Sequence, residues 1–96
     1  MSNILAFNIK ALPILFNTLS VNEFKLTCVI AYYLVSTGKK VFVNDSTTRE
    51  WLASQGFKRD FFRIRYLLHS LVRKKVLISE GSGVFSLNTR ILGDTI

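Results

Sequence analysis

Residues 56–78 of the 96-residue chain read GFKRDFFRIRYLLHSLVRKKVLI. The apolar residues of this stretch recur three and four positions apart, the spacing that places side chains on one face of a helix packed against a core. The pattern predicts a helix from about Arg59 to Lys75, with a buried stripe formed by Phe61, Ile64, Leu67, Leu68, Leu71 and Val72. The opposite, exposed face is expected to carry Arg59, Phe62, Arg63, Tyr66, Ser70 and Arg73, with His69 beside them.

The positive charge of the chain is concentrated in this predicted helix. Thirteen Lys and Arg residues against six Asp and Glu give the chain a net charge of +7, and seven of the basic residues lie in the segment 57–75 with a single acidic one, hence +6 there. A helix face that only confers solubility normally pairs Lys with Glu one turn away, and this segment contains no Glu. The distribution favours a polyanionic partner.

Signals upstream of the basic helix predict a further helix and a strand. Residues 20–23, SVNE, have the form of a capping box and open an almost entirely apolar segment. We expect a helix that runs to about Ser36, is buried on several sides, and ends at Gly38. The alternating apolar segment 40–44 then predicts a short strand.

The flanks of the basic helix complete the predicted order of elements. Residues 47–50 repeat the capping-box spacing and predict a short helix over 48–54, which the turn residues 55–56 separate from the basic helix. Downstream, two alternating segments within 76–88 enclose the glycine-containing residues 81–83. This pattern predicts a β-hairpin with a three-residue turn.

This order of elements resembles that of winged-helix regulators, and residues 56–78 resemble their recognition helix and first wing strand. The resemblance spans about Ile9 to Asp94. The ending GVFSLNTRILGD, residues 83–94, is similar to the close of RepL-like replication proteins of plasmids and phages, although Thr89 stands where their pattern has Pro. The resemblance implies an α+β winged-helix fold over 20–96, with a three-helix core, a helix-turn-helix and a C-terminal β-hairpin wing. Residues 1–19 are expected to pack as an apolar segment on that core or on a partner subunit.

The leading functional hypothesis is a non-catalytic, double-stranded DNA-binding protein of a phage or mobile element, acting as a transcriptional regulator or replication-initiation factor. Arginine can bond bidentately to guanine, aromatic rings can contact thymine methyl groups, and lysines near helix ends can neutralise phosphates. The predicted contacts are Thr47, Thr48 and Arg49 at the start of the short helix, Lys58 just before the basic helix, and Arg59, Phe62, Arg63, Tyr66, Ser70, Arg73 and Lys74 on the basic helix.

A protein-interaction module is the alternative, namely a phage-encoded inhibitor or adaptor that binds an acidic surface of a host protein. Phe62 and Tyr66 are large for a solvated face and suit a protein partner. The tip of the predicted hairpin has no basic residue, and Glu80 beside it would repel phosphate. The apolar N-terminal segment and first helix also suggest a two-fold homodimer.

The sequence has no pattern typical of an enzyme. His69 is the single His and lies within the basic helix, while the single Cys, Cys28, lies in the most apolar helix. We therefore expect no catalysis, no metal and no cofactor. The longest uncharged stretch, residues 26–38, is too short to span a bilayer, so a cytoplasmic protein without membrane contact is expected.

The expected core combines the two periodicities of the predicted helices and strands. Its members are expected to be Phe24, Leu34, Trp51, Phe61, Ile64, Leu68, Leu71, Ile78, Phe85 and Leu87. At the N-terminus, residues 4–9 suggest a short strand, and residues 13–18 suggest a helical turn that begins at Pro13.

Overall fold

The computed structural model describes residues 17–88 and contains three helices and three strands in that part of the chain. They are α1 (Val21–Thr37), β1 (Phe42–Val43), α2 (Ser46–Ser54), α3 (Phe61–Arg73), β2 (Leu77–Gly81) and β3 (Val84–Leu87). The expected α+β class is confirmed. The strand suggested at 4–9, most of the turn suggested at 13–18 and the resemblance beyond Asn88 lie outside the described residues.

The predicted capping box of α1 is confirmed. Ser20 N–H donates to Glu23 Oε1 at 2.8 Å, and Glu23 N–H donates to Ser20 Oγ at 3.2 Å. These two bonds satisfy backbone donors that the first turn of a helix leaves without partners. The helix ends as expected, because Gly38 adopts the left-handed conformation with a φ of 70°.

The start of α2 differs from the prediction. Asp45, not Thr47, is the N-cap, and its carboxylate accepts a hydrogen bond from Thr48 N–H at 2.8 Å. Aspartate is among the strongest N-cap residues, so the helix begins two residues earlier than the capping-box spacing at 47–50 predicts. The second capping box is therefore wrong, although a short helix at this position is confirmed.

The basic helix α3 is shorter at both ends than its periodicity predicts. Asp60 caps its N-terminus by accepting from Arg63 N–H at 2.7 Å, so Arg59 lies in the preceding loop. At the other end Lys74 is the C-cap, and Lys75 has a φ of 65°, which ends helical geometry.

The strands form one antiparallel sheet in the order β1-β3-β2. Phe85 in the central strand pairs with Phe42 of β1 on one side and with Ser79 of β2 on the other. The hairpin turn has two residues rather than three, since Gly81 belongs to β2. Ser82 and Gly83 both have positive φ, 50° and 78°, the pattern of a type I′ turn, and a bulge precedes them in β2.

The core lies between the three helices and one face of the sheet. Of the ten expected members, five are buried (Leu34, Ile64, Leu68, Leu71, Phe85) and three are partly buried (Phe24, Trp51, Leu87). The expectation is wrong for Phe61 and Ile78, which are exposed. Phe61 is the first residue of α3 and lies at the edge of the core-facing side, while Ile78 follows the inward-facing Leu77 and so points to the other face of β2.

Candidate nucleic-acid interface

The outer face of α3 combines aromatic and basic side chains. Phe62 and Tyr66, four residues apart, are 73% and 58% exposed. Arg65, His69 and Arg73 are also exposed, and their spacing of four places them in one row along the helix. The face is thus wide, apolar at its centre and positively charged along its length.

Two corrections to the predicted face follow from the register of α3. Ser70 is buried, and its hydroxyl donates to Glu23 Oε2, so it is not available to a ligand at this surface. Arg65 was absent from the predicted contacts, although it is exposed. The sequence contains a signal for the exposure of Arg65, because Arg65, His69 and Arg73 are spaced four apart and residues four apart share a helix face.

Cation–π contacts arrange the side chains at the start of α3. The guanidinium carbon of Arg49, from α2, lies 5.0 Å from the centre of the Phe61 ring, and Phe62 packs edge-on against Phe61 at 5.4 Å. Arg63 lies in the same way over Tyr66, at 5.6 Å. A guanidinium group held against a ring keeps N–H donors at its edge, and those that have no protein acceptor can bind an anion.

The loop before α3 is tied to α1. Arg59 donates to Asn22 Oδ1 at 3.3 Å and to the carbonyl oxygen of Lys58 at 2.7 Å. Its guanidinium also lies 5.1 Å from the centre of the Phe57 ring, which is buried. Lys58 itself is exposed. The predicted contacts Lys58 and Arg59 therefore lie beside the first turn of α3, although outside the helix.

Lys74 has a different environment from the other basic residues. Its ammonium group donates to Glu23 Oε1 at 2.7 Å and to the carbonyl oxygen of Thr18 at 3.0 Å. We predicted that Lys74 neutralises a phosphate, but the structure gives its charge a buried carboxylate partner instead. Its role in these contacts is to join the C-terminal end of α3 to the start of α1.

Glu23 is the acceptor at the centre of this network. Burial by itself would raise the pKa of the Glu23 carboxyl, but hydrogen bonds from Lys74, Ser70 and the Ser20 N–H outweigh it and lower the pKa to about 2. The carboxylate is therefore ionised at neutral pH. Its charge is matched by Lys74, in the one salt bridge found among residues 17–88.

Six of the seven basic residues of segment 57–75 consequently have no carboxylate partner within residues 17–88. They are Lys58, Arg59, Arg63, Arg65, Arg73 and Lys75. The one acidic residue of the segment, Asp60, uses its carboxylate to cap α3. The concentration of charge expected from the sequence is thus largely uncompensated on the folded surface.

The predicted contacts on α2 divide into exposed and buried residues. Thr47 is exposed and Arg49 is half-buried, with an N–H that donates to Asn44 Oδ1 at 3.4 Å. Thr48 is buried, and both its backbone N–H and its side chain hydrogen-bond to Asp45. Thr48 was predicted to hold a phosphate, but its inward position prevents a side-chain contact.

The hairpin contributes no positive charge to this surface. Residues 76–88 contain no Lys or Arg, and Glu80 accepts a hydrogen bond from the Ser86 hydroxyl at 2.6 Å. His69 packs edge-on against Phe85 of β3, with 5.9 Å between the ring centres. The sheet therefore contacts α3 through Phe85, and the hairpin adds no Lys or Arg to the surface beside α3.

No family model, curated protein or solved structure matches the chain. Within residues 17–88, no three His, Cys, Asp or Glu side chains are grouped so that they could hold a metal ion. Over the same part of the chain, no helix has the length and apolar character needed to cross a membrane. Cys28 is a free, half-buried thiol whose pKa is raised by burial.

Proposed function

We propose that this chain is a non-catalytic DNA-binding protein of the winged-helix class, with α3 as the helix that contacts the duplex. The order of the elements supports this class, because α2, a turn and α3 are followed by a hairpin whose inner strand also pairs with β1. The resemblance of the sequence to RepL-like proteins supports a role in replication initiation or transcriptional regulation in a phage or mobile element.

The observation that carries the proposal is the set of six basic residues of segment 57–75 without a carboxylate partner. Like charges close together on a folded surface repel one another, and phosphates of a nucleic acid would neutralise them. Phosphate contacts of this kind supply most of the affinity for any duplex. Base contacts then add selectivity for sequence.

The dimensions of α3 suit the major groove of DNA. Its 13 residues form a rod about 20 Å long, and the groove is about 12 Å wide, enough to admit a helix with its side chains. Arg63 and Phe62 lie in the first half of α3, the part that usually reaches base edges. Arg73, at the opposite end, is placed for a backbone phosphate.

Fluorescence anisotropy with a labelled duplex of random sequence tests the proposal. If all six unpaired basic residues reach phosphates, affinity should fall by about three orders of magnitude between about 50 and about 200 mM salt. Arg65→Gln and Arg73→Gln should each lower the slope of log affinity against log salt by about one. Lys25→Gln removes the same charge from the exposed outer side of α1 and should leave the slope unchanged.

The protein-interaction function remains a second candidate because a specific observation favours it. Phe61, Phe62 and Tyr66 are all exposed around one end of α3, more aromatic surface than phosphate contacts require. A chain that shows no salt-dependent affinity for any duplex at low ionic strength would contradict DNA binding and favour an acidic protein partner. The Phe62→Ala variant would then be the first to test against that partner.

A further inference from the structure

We propose that the cleft between the C-terminal end of α1, strand β1 and the start of α2 binds a phosphate group. The cleft has a volume of about 490 Å³, and the polar residues of its lining are Tyr33, Lys39, Lys40, Asp45, Thr47 and Thr48. No residue of segment 57–75 lines it, so it is a different surface from the outer face of α3. The inference does not depend on the proposed DNA-binding function.

Two lysines supply the positive charge of the cleft. Lys39 and Lys40 are consecutive residues, and neither forms a salt bridge within residues 17–88. The ammonium group of Lys39 lies 5.7 Å from the centre of the Tyr33 ring and donates to Tyr33 Oη at 3.3 Å. This contact restricts the Lys39 side chain at the wall of the cleft. Less side-chain entropy is therefore lost when an anion binds there.

Tyr33 adds a fixed hydroxyl donor. The residue is only 8% exposed, and its ring packs edge-on against Phe42 and Trp51, with 5.8 and 5.1 Å between ring centres. Its oxygen accepts from Lys39 in a partly buried hydrogen bond, and Tyr33 lines the cleft, so the hydroxyl can donate its own proton into the cleft. An oxygen of a phosphate bound between Lys39 and Tyr33 would accept that proton.

Asp45 is the one carboxylate in the cleft lining, and it is already engaged. It accepts from the N–H of Thr48 at 2.8 Å, and its pKa is lowered by the backbone and side-chain hydrogen bonds of Thr48. The carboxylate therefore faces α2 and keeps its charge, so the two lysines leave the lining with a net charge of +1. The exposed Thr47 adds a further hydroxyl to the lining.

The size of the cleft indicates which phosphates fit. A volume of about 490 Å³ is in the range of small-molecule sites and exceeds what a bare anion fills. The shared chemistry is a phosphate ester, either a backbone phosphate of a nucleic acid or a phosphate carried by a free small molecule. Two arms of one experiment distinguish these sources.

The first arm uses inorganic phosphate as the probe and amide NMR spectra of the folded chain as the readout. Sodium phosphate replaces sodium chloride at constant ionic strength, and saturable shifts are expected at Lys39, Lys40 and Thr47. Lys40→Gln and Tyr33→Phe should each weaken binding at least about tenfold, the lower end of the value of one hydrogen bond to a charged group. Lys25→Gln, which removes a lysine outside the cleft, should not. Equal spectra in phosphate and chloride would overturn the proposal.

The second arm measures duplex affinity of the same variants. A backbone phosphate in the cleft predicts that Lys40→Gln weakens duplex binding at least about tenfold and lowers the salt slope by about one. If Lys40→Gln loses phosphate binding but keeps its affinity for the duplex, the cleft binds a small phosphate ester and not the DNA backbone. Arg65→Gln must retain the phosphate shifts whatever it does to DNA binding. If it abolishes them, phosphate binds on α3 and the cleft proposal is wrong.

Discussion

Replacing Glu23 with Gln should destabilise the fold at neutral pH and have little effect at pH 2. Glutamine has the same size. Its carbonyl oxygen can replace Oε1 as the acceptor for Ser20 N–H, and its amide group, in the place of Oε2, can donate to the hydroxyl oxygen of Ser70, so the packing of α1 on α3 is preserved. What the variant loses is the negative charge that pairs with Lys74 at 2.7 Å. The comparison therefore isolates the charge of one buried carboxylate.

The magnitude follows from the pKa of Glu23, which is lowered from an ordinary value of 4.5 to about 2. A pKa difference of one unit between folded and unfolded chains corresponds to about 1.4 kcal/mol, so a fully effective shift contributes about 3 kcal/mol. The side chain of Lys74 is 33% exposed, and solvent screening of that partner reduces the expected contribution to about 2 kcal/mol. Because the folded-state pKa is the lower one, this stability is complete above about pH 5 and is lost as the pH falls towards 2.

Urea denaturation followed by circular dichroism, at five pH values from 7 to about 2, measures this difference. Wild type and Glu23→Gln should differ by about 2 kcal/mol at pH 7, and the gap should close as Glu23 becomes protonated. Glu80→Gln is the matched control, since Glu80 is an exposed carboxylate that also accepts from a serine hydroxyl. It should change stability by no more than about 0.5 kcal/mol at any pH. If wild type and Glu23→Gln have the same free energy of unfolding at pH 7, or if their difference does not change with pH, the Glu23 charge does not stabilise the fold.

Two further predictions concern the same helix and the sheet. Lys74→Ala should lower the free energy of unfolding by about 2 kcal/mol at pH 7, because it leaves Glu23 buried without a cation, whereas Lys75→Ala should stay within about 0.5 kcal/mol. Equal effects of the two variants in urea denaturation would contradict the Lys74–Glu23 pair. Leu68→Ala should cost about 2 to 5 kcal/mol, while Ile78→Ala, at an exposed position of β2, should cost less than about 1 kcal/mol. A larger loss for Ile78→Ala in the same assay would mean that its side chain packs in the core.

The features that the sequence predicted well depend on local rules. The capping box at 20–23 and the left-handed Gly38 define α1 through contacts between neighbours in the chain. The three-and-four spacing of Ile64, Leu68 and Leu71 identified the buried side of α3. Such signals act within about one helical turn, so no knowledge of the tertiary structure is needed to recognise them.

The errors occur where a distant residue decides the environment of a side chain. Ser70 was placed on the exposed face, but it is buried because Glu23, 47 residues earlier, provides an acceptor for its hydroxyl. Lys74 has the same partner, which a count of charges along segment 57–75 does not reveal. The pairing of β1 with β3 is likewise a contact between separate parts of the chain. Local patterns carry no information about any of these partners.

The network around Glu23 neutralises only one of the basic residues of segment 57–75. A single buried carboxylate can neutralise one ammonium group, and among residues 17–88 the fold uses only Lys74 in this way. Asn22 holds Arg59 at the other end of α3 without neutralising it. The remaining cations therefore repel one another on the folded surface and oppose folding. A polyanion that bound the folded chain would remove this repulsion and stabilise the fold by mass action, which is the physical basis of the nucleic-acid partner that we propose.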